Sequence, residues 1–245
     1  MKTKIITPLA ITAAFAVAVG LSAPAQAQNS KVGAATSTLT ALSSGNSWID
    51  VNGMSIDVRV SQQTSLSFDV ALQCSLATDT TAKTKGGKRA SATAEAGVKV
   101  RVRIEHLDGD EVVGAAWYAQ PSADIGEDPD SGVTYCRRSQ TLEAVLQGQI
   151  NLADCVDSEG NFEPELCTLT YEEIRLILST LSAHAFNFFD YNLTSGDYRL
   201  TVEANPTTST AINDEEGADS SAAAMALVGL GTMVVDEVRF GAIPN

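Results

Sequence analysis

From Trp48 onward the chain alternates apolar and polar residues with a period of two. Ile56, Val58 and Val60 interleave with Asp57, Arg59 and Ser61. Leu66, Phe68, Val70, Leu72, Cys74 and Leu76 then share one face against Ser67, Asp69, Ala71, Gln73 and Ser75. Successive strand side chains point to opposite faces, so this pattern predicts a strand buried on one side and wetted on the other. It also puts Cys74 on the core face. A polar stretch over 78–92, holding Lys83, Lys85, Gly86, Gly87, Lys88 and Arg89, predicts a linker. The next strand carries Val98, Val100, Val102 and Ile104 inside, with Lys99, Arg101 and Arg103 outside. Asp108-Gly109 predicts a tight hairpin turn into a strand over 112–118, because glycine supplies the positive φ such turns need.

After an acidic loop over 124–132, strand character returns at 133–138, and Leu142, Ala144, Leu146, Ile150 and Leu152 alternate again. One segment changes period. Thr170 and Glu173 have capping-box spacing, and Ile174, Ile177, Leu178, Leu181 and Ala185 form a stripe at helical spacing. A helix is expected over 171–184. Tyr198, Leu200, Val202 and Ala204 restore the strand period, a polar loop is expected over 205–221, and a closing strand or pair over 224–240 is apolar on both faces. About eight to ten short strands with a single helix exclude an alternating α/β fold and predict a mainly β, antiparallel β-sandwich. The expected architecture is immunoglobulin-like or jelly-roll, one domain over 48–245, with the amphipathic helix in an insert near 153–190.

The segment ahead of this domain gives an address. Lys2 and Lys4 precede an apolar run that closes on Ala25-Gln26-Ala27, the small-x-small pattern of a cleaved signal peptide over 1–27. Residues 28–47, rich in Ser, Thr, Ala, Gly and Asn, read as a flexible leader with a short strand near 39–42. The nearest later candidate for a membrane span, 222–235, is broken by Gly229 and Gly231 and falls short of the roughly 20 residues required. A secreted protein, periplasmic or extracellular and of bacterial type, is therefore expected. Four cysteines in an oxidising compartment predict two disulfides. Cys155 and Cys167 bracket a turn-rich loop, and closing it stabilises by about 3 kcal/mol. Cys74 and Cys136 then form the long-range bridge.

Charge narrows the function. With 16 basic against 30 acidic residues and a net charge of −14, the chain would be repelled by nucleic acid. Lys83, Lys85, Lys88, Arg89, Lys99, Arg101 and Arg103 form the main basic segment, suited to acidic loops of a second copy, to an acidic polysaccharide, or to cross-strand pairing within the chain. The two histidines, His106 and His184, lack a nucleophile motif around them, and no G-x-S-x-G, S-x-x-K or H-E-x-x-H occurs. Glu203 and Asp236 are candidate paired carboxylates by location alone. Asp128-Pro129-Asp130-Ser131-Gly132, with Asp124 and Glu127, and Asp157-x-Glu159-x-Asn161 offer alternating oxygen ligands, without the full calcium-loop pattern. No catalytic residue, cofactor or metal site is assigned: zinc wants C-x-x-C or His-bearing spacings that are absent, and weak calcium binding at the acidic loops is the one cofactor expectation. The expected function is a non-catalytic structural or interaction module at the cell surface or in the extracellular matrix, with itself or other surface proteins as partners. A glycan-binding module using Trp117 or Tyr118 comes second, and a small carboxylate-dependent glycosidase or lyase third.

Overall fold

The computed structural model describes residues 31–37, 47–84, 86–122 and 132–238. Among these residues there are nine strands: β1 (Lys31–Thr36), β2 (Ile49–Val60), β3 (Thr64–Thr84), β4 (Lys88–Asp108), β5 (Glu111–Tyr118), β6 (Val133–Leu146), β7 (Glu172–Leu193), β8 (Gly196–Ile212) and β9 (Asp219–Val238). All pairings are antiparallel, and the strands form two sheets that face each other as in a sandwich. One sheet runs β1-β9-β3-β7; the other runs β2-β8-β4, with β6 beside the first half of β4 and β5 beside the second. The predicted turn joins β4 to β5 at Gly109, whose φ is 64°.

Large side chains fill the space between the sheets at one end. Phe68, Leu66, Leu72 and Val70 of β3 meet Ile104, Val100 and Val98 of β4, with Met54, Phe188, Leu200 and Met233 closing around them. At the other end the facing residues are small. Thr78, Thr80, Ala82 and Thr84 of β3 lie opposite a sheet lined by Ala90, Ala92 and Ala94 of β4. The β3–β9 ladder slips between Leu72 and Cys74. Glycine is required there: a Cβ on Gly231 would stand 2.7 Å from the Ala71 carbonyl oxygen.

Three predicted elements are corrected. The segment expected as a helix over 171–184 is strand from Glu172 on, and among the described residues the chain has no α-helix. The apolar stripe at helical spacing is a subset of a longer apolar run in which Leu176 and Phe186 also take part, so both faces of a strand are apolar. Ile174, Ile177 and Thr180 are β-branched, and β3 supplies a ladder from Thr84↔Glu172 to Leu66↔Asp190. Thr170 does not cap a helix, since its hydroxyl donates to the Gln149 carbonyl at 2.9 Å. The expected insert instead contains two 3₁₀ turns, Leu152–Cys155 and Pro164–Leu166.

The linker expected over 78–92 is the end of β3 and the start of β4. Its inward positions alternate correctly, but as Thr and Ala they carry no hydrophobic signal. Likewise the polar loop expected from 205 begins as strand, because β8 continues to Ile212 along β4. In the leader, residues 31–36 pair with β9, while the strand expected near 39–42 and the signal segment 1–27 lie outside the described residues.

Candidate interaction edge

β7 is the outermost strand of its sheet. It pairs with β3 on one side, and on the other its only ladder partner among the described residues is Gln120, which exchanges backbone hydrogen bonds with Phe189 in both directions at 2.7 and 3.0 Å. Phe189 therefore turns its N–H and C=O away from β3. Polar groups alternate along an antiparallel strand, so Arg175, Ile177, Ser179, Leu181, Ala183, Ala185 and Asn187 turn theirs the same way.

The side chains of this edge are apolar on both faces. Even-numbered residues lie on the inner face, in register with the buried residues of β3, yet Ile174, Leu176, Leu178 and Phe186 remain 38–44% exposed. On the outer face Ile177 is 59% and Leu181 68% exposed. At Ile174, Leu176 and Leu178 the inner side is left uncovered because the facing sheet ends at β6. A long, apolar edge, unpaired among the described residues over most of its length, is what soluble proteins ordinarily shorten, charge or cover.

Polar contacts fix β7 in place. Gln140 of β6 crosses between the sheets, accepting from Thr78 Oγ1 at 2.7 Å and donating to Thr80 Oγ1 at 2.6 Å and the Leu176 carbonyl at 2.8 Å. Arg138 donates to Thr180 Oγ1. On the outer face Arg175 pairs with Asp79, whose carboxyl it holds below the usual range through their hydrogen bonds. At the closed end Trp117 Nε1 donates to Asp190 at 2.6 Å, and burial raises the Asp190 pKa despite that bond.

The carboxylates suggested for hydrolysis are not brought together. Glu203 lies on the outer face of the β2-β8-β4 sheet, where it accepts from Arg101 Nε at 2.5 Å and pairs with Arg103. Asp236 is on β9, in the other sheet, opposite Ser67. Arg101 is enclosed between the Trp48 and Tyr118 rings, 4.0 and 3.9 Å from their centroids. Trp117 packs edge-on against Tyr198. Both proposed sugar platforms are thus engaged within the fold. Much of the basic segment is paired in the same way, with Arg89 on Glu143 and Arg103 on Asp50 and Glu105; Lys85 lies outside the described residues.

Of the calcium candidates, Asp124, Glu127, Asp128 and Asp130 lie outside the described residues. Asp157 accepts from the backbone N–H groups of Glu159 and Asn161, both at 2.8 Å, which lowers its pKa and turns the carboxylate into a loop staple. Among the described residues no cluster of three or more potential metal-binding side chains occurs. His106 tilts against the Tyr198 ring, and His184 Nε2 meets Ser182 Oγ at 2.8 Å on exposed β7. Cys74 of β3 is joined to Cys136 of β6, linking the two sheets, and Cys155 to Cys167, closing the loop ahead of β7. No helix among the described residues is long and apolar enough to cross a membrane.

Sequence reasoning missed the edge because its signal was assigned to a helix face. The residues themselves were legible.

No family model and no curated protein matches the chain. Among solved structures it is similar, at 8% identity, to a CocE/NonD family hydrolase from Staphylococcus aureus, SACOL2612, over 85% of this chain and 33% of that one, with a TM-score of 0.21. A structure of infectious bursal disease virus Gt strain aligns at 10% identity over 85% of this chain and 42% of that one, with a TM-score of 0.09. The chain spans about a third of the hydrolase's length. Superpositions this loose carry no argument about fold or chemistry.

Proposed function

We propose that the chain is an exported, acidic, disulfide-stabilised β-sandwich that acts as a non-catalytic structural or interaction module at the cell surface or in the extracellular matrix. One observation carries the reading: the long β7 edge, apolar on both faces and, among the described residues, without a ladder partner along most of its length. Strand addition to such an edge supplies affinity through main-chain hydrogen bonds and selectivity through alternate side chains. The signal-like segment 1–27 and the two disulfides are compatible with export. Ile177→Lys with Leu181→Lys tests it, because both side chains are exposed and their replacement leaves the core intact. In cells that make the full chain, wild type is expected in the surface and matrix fraction, and the variant in the medium. Equal retention of the two would overturn the reading.

A further inference from the structure

An edge of this kind takes a strand, and the β7 sequence limits which one. The open stretch is bounded by Gln120 at Phe189 and by the first residues of β7, so its middle lies near Leu181. Antiparallel pairing of β7 with another β7 about Leu181 sets Leu176 opposite Phe186, Leu178 opposite His184 and Thr180 opposite Ser182 on the inner face. On the outer face Ile177 meets Ala185, Ser179 meets Ala183, and Leu181 meets itself. Leu176–Phe186, Ile177–Ala185 and Leu181–Leu181 are apolar pairs and Thr180–Ser182 a hydroxyl pair, Leu178–His184 and Ser179–Ala183 are mixed but uncharged, and Arg175 falls opposite neutral Asn187.

Other arrangements fit less well. Moving the centre to residue 180 sets Leu178 against Ser182 and Ser179 against Leu181. Moving it to residue 182 sets Ile177 against Asn187 and Arg175 against Phe189, a position Gln120 already occupies. Parallel, in-register pairing opposes Glu173 to Glu173 and Arg175 to Arg175, and like charges directly opposite are destabilising.

We infer that the occupant of the β7 edge is β7 of a second copy, paired antiparallel about a two-fold axis at Leu181. The inference rests on the interaction reading above and names its partner. The two edge-bearing sheets become one continuous sheet, and the outward N–H and C=O groups of Arg175, Ile177, Ser179, Leu181, Ala183, Ala185 and Asn187 find partners. Such an interface is isologous and closes on itself as a dimer.

Cysteine cross-linking of the processed chain tests the register. Directly opposed residues in a hydrogen-bonded antiparallel pair have Cα atoms about 5.5 Å apart, within disulfide reach. Leu181→Cys is expected to give a covalent dimer under mild oxidation. Ile177→Cys and Ala185→Cys are expected to cross-link when mixed and not when oxidised separately. Peptide mapping checks that Cys74–Cys136 and Cys155–Cys167 are intact, and light scattering is expected to show the mass of the Leu181→Lys variant halved relative to wild type. A wild-type monomer at all concentrations, or equal cross-linking of Ile177→Cys alone, would overturn the inference. If surface retention still depended on β7 in that case, the interaction reading would stand with a different partner; if retention were indifferent to β7, the reading itself would fall.

Discussion

The two ends of the sandwich use the same strands differently. At one end β3, β4, β8 and β9 send Phe, Leu, Ile, Val and Met inward, and β7 contributes fully buried Phe188. At the other end the same strands send Ala and Thr inward, with a side-chain amide, Gln140, bridging the layers. The first end holds a conventional hydrophobic core. The second holds its layers by short polar contacts and leaves the larger side chains of β7 on the outside. Apolar residues are therefore partitioned along a single strand: Phe188 is fully buried, and the large apolar side chains from Ile174 to Phe186 stay 38–68% exposed, the set proposed above for association.

The sharpest way to break this comparison uses two phenylalanines one turn of the pleat apart. Phe188→Ala removes a fully buried ring and should destabilise by about 3–5 kcal/mol. Phe186→Ala, on the same face but 39% exposed and touching Phe188 edge-on, should cost the monomer less, about 1 kcal/mol, while weakening self-association. Urea unfolding at low protein concentration measures both; similar losses would mean that β7 is not divided into a buried and an exposed part between these two residues. At the small-residue end, Gln140→Leu strands the Thr78 and Thr80 hydroxyls and the Leu176 carbonyl. A loss of about 1–3 kcal/mol is expected, and a neutral result would deny the polar bridge its role.

The smallest effect is a pH dependence at the closed end of β7. Burial raises the Asp190 pKa in the folded state, so its ionised form costs stability above the unfolded value of about 3.9. The cost grows as pH rises through the folded pKa and is absent below the unfolded one. Asp190→Asn should therefore melt slightly higher than wild type at pH 7, with the gap closing toward pH 3. A gap that widened on acidification would reverse the assignment.

The large-residue end was legible because alternation of big apolar and polar side chains has one structural meaning. Leu66 to Leu76 and Val98 to Ile104 announce their strands and their buried face, and Cys74 falls on that face. The small-residue end was not, since Thr78, Thr80, Ala82, Ala90 and Ala92 are inward-facing strand positions with no hydrophobic contrast. β7 failed for the opposite reason. A strand apolar on both faces contains every period, including the helical one, and only the ladder to β3 selects among them. Pairing Glu203 with Asp236 failed because location along late strands says nothing about which sheet each strand joins.

Amide hydrogen exchange along β7, followed against protein concentration, tests the central claim most directly. Even-numbered residues such as Leu176 and Leu178 bond to β3 and should be protected at every concentration. Ile177, Ser179, Leu181, Ala183 and Ala185, whose N–H groups face outward, should exchange fast when dilute and become protected together as concentration rises. Outward amides that stay unprotected in concentrated solution, or that are already protected when dilute, would contradict the account of β7 as an open edge completed by a second copy.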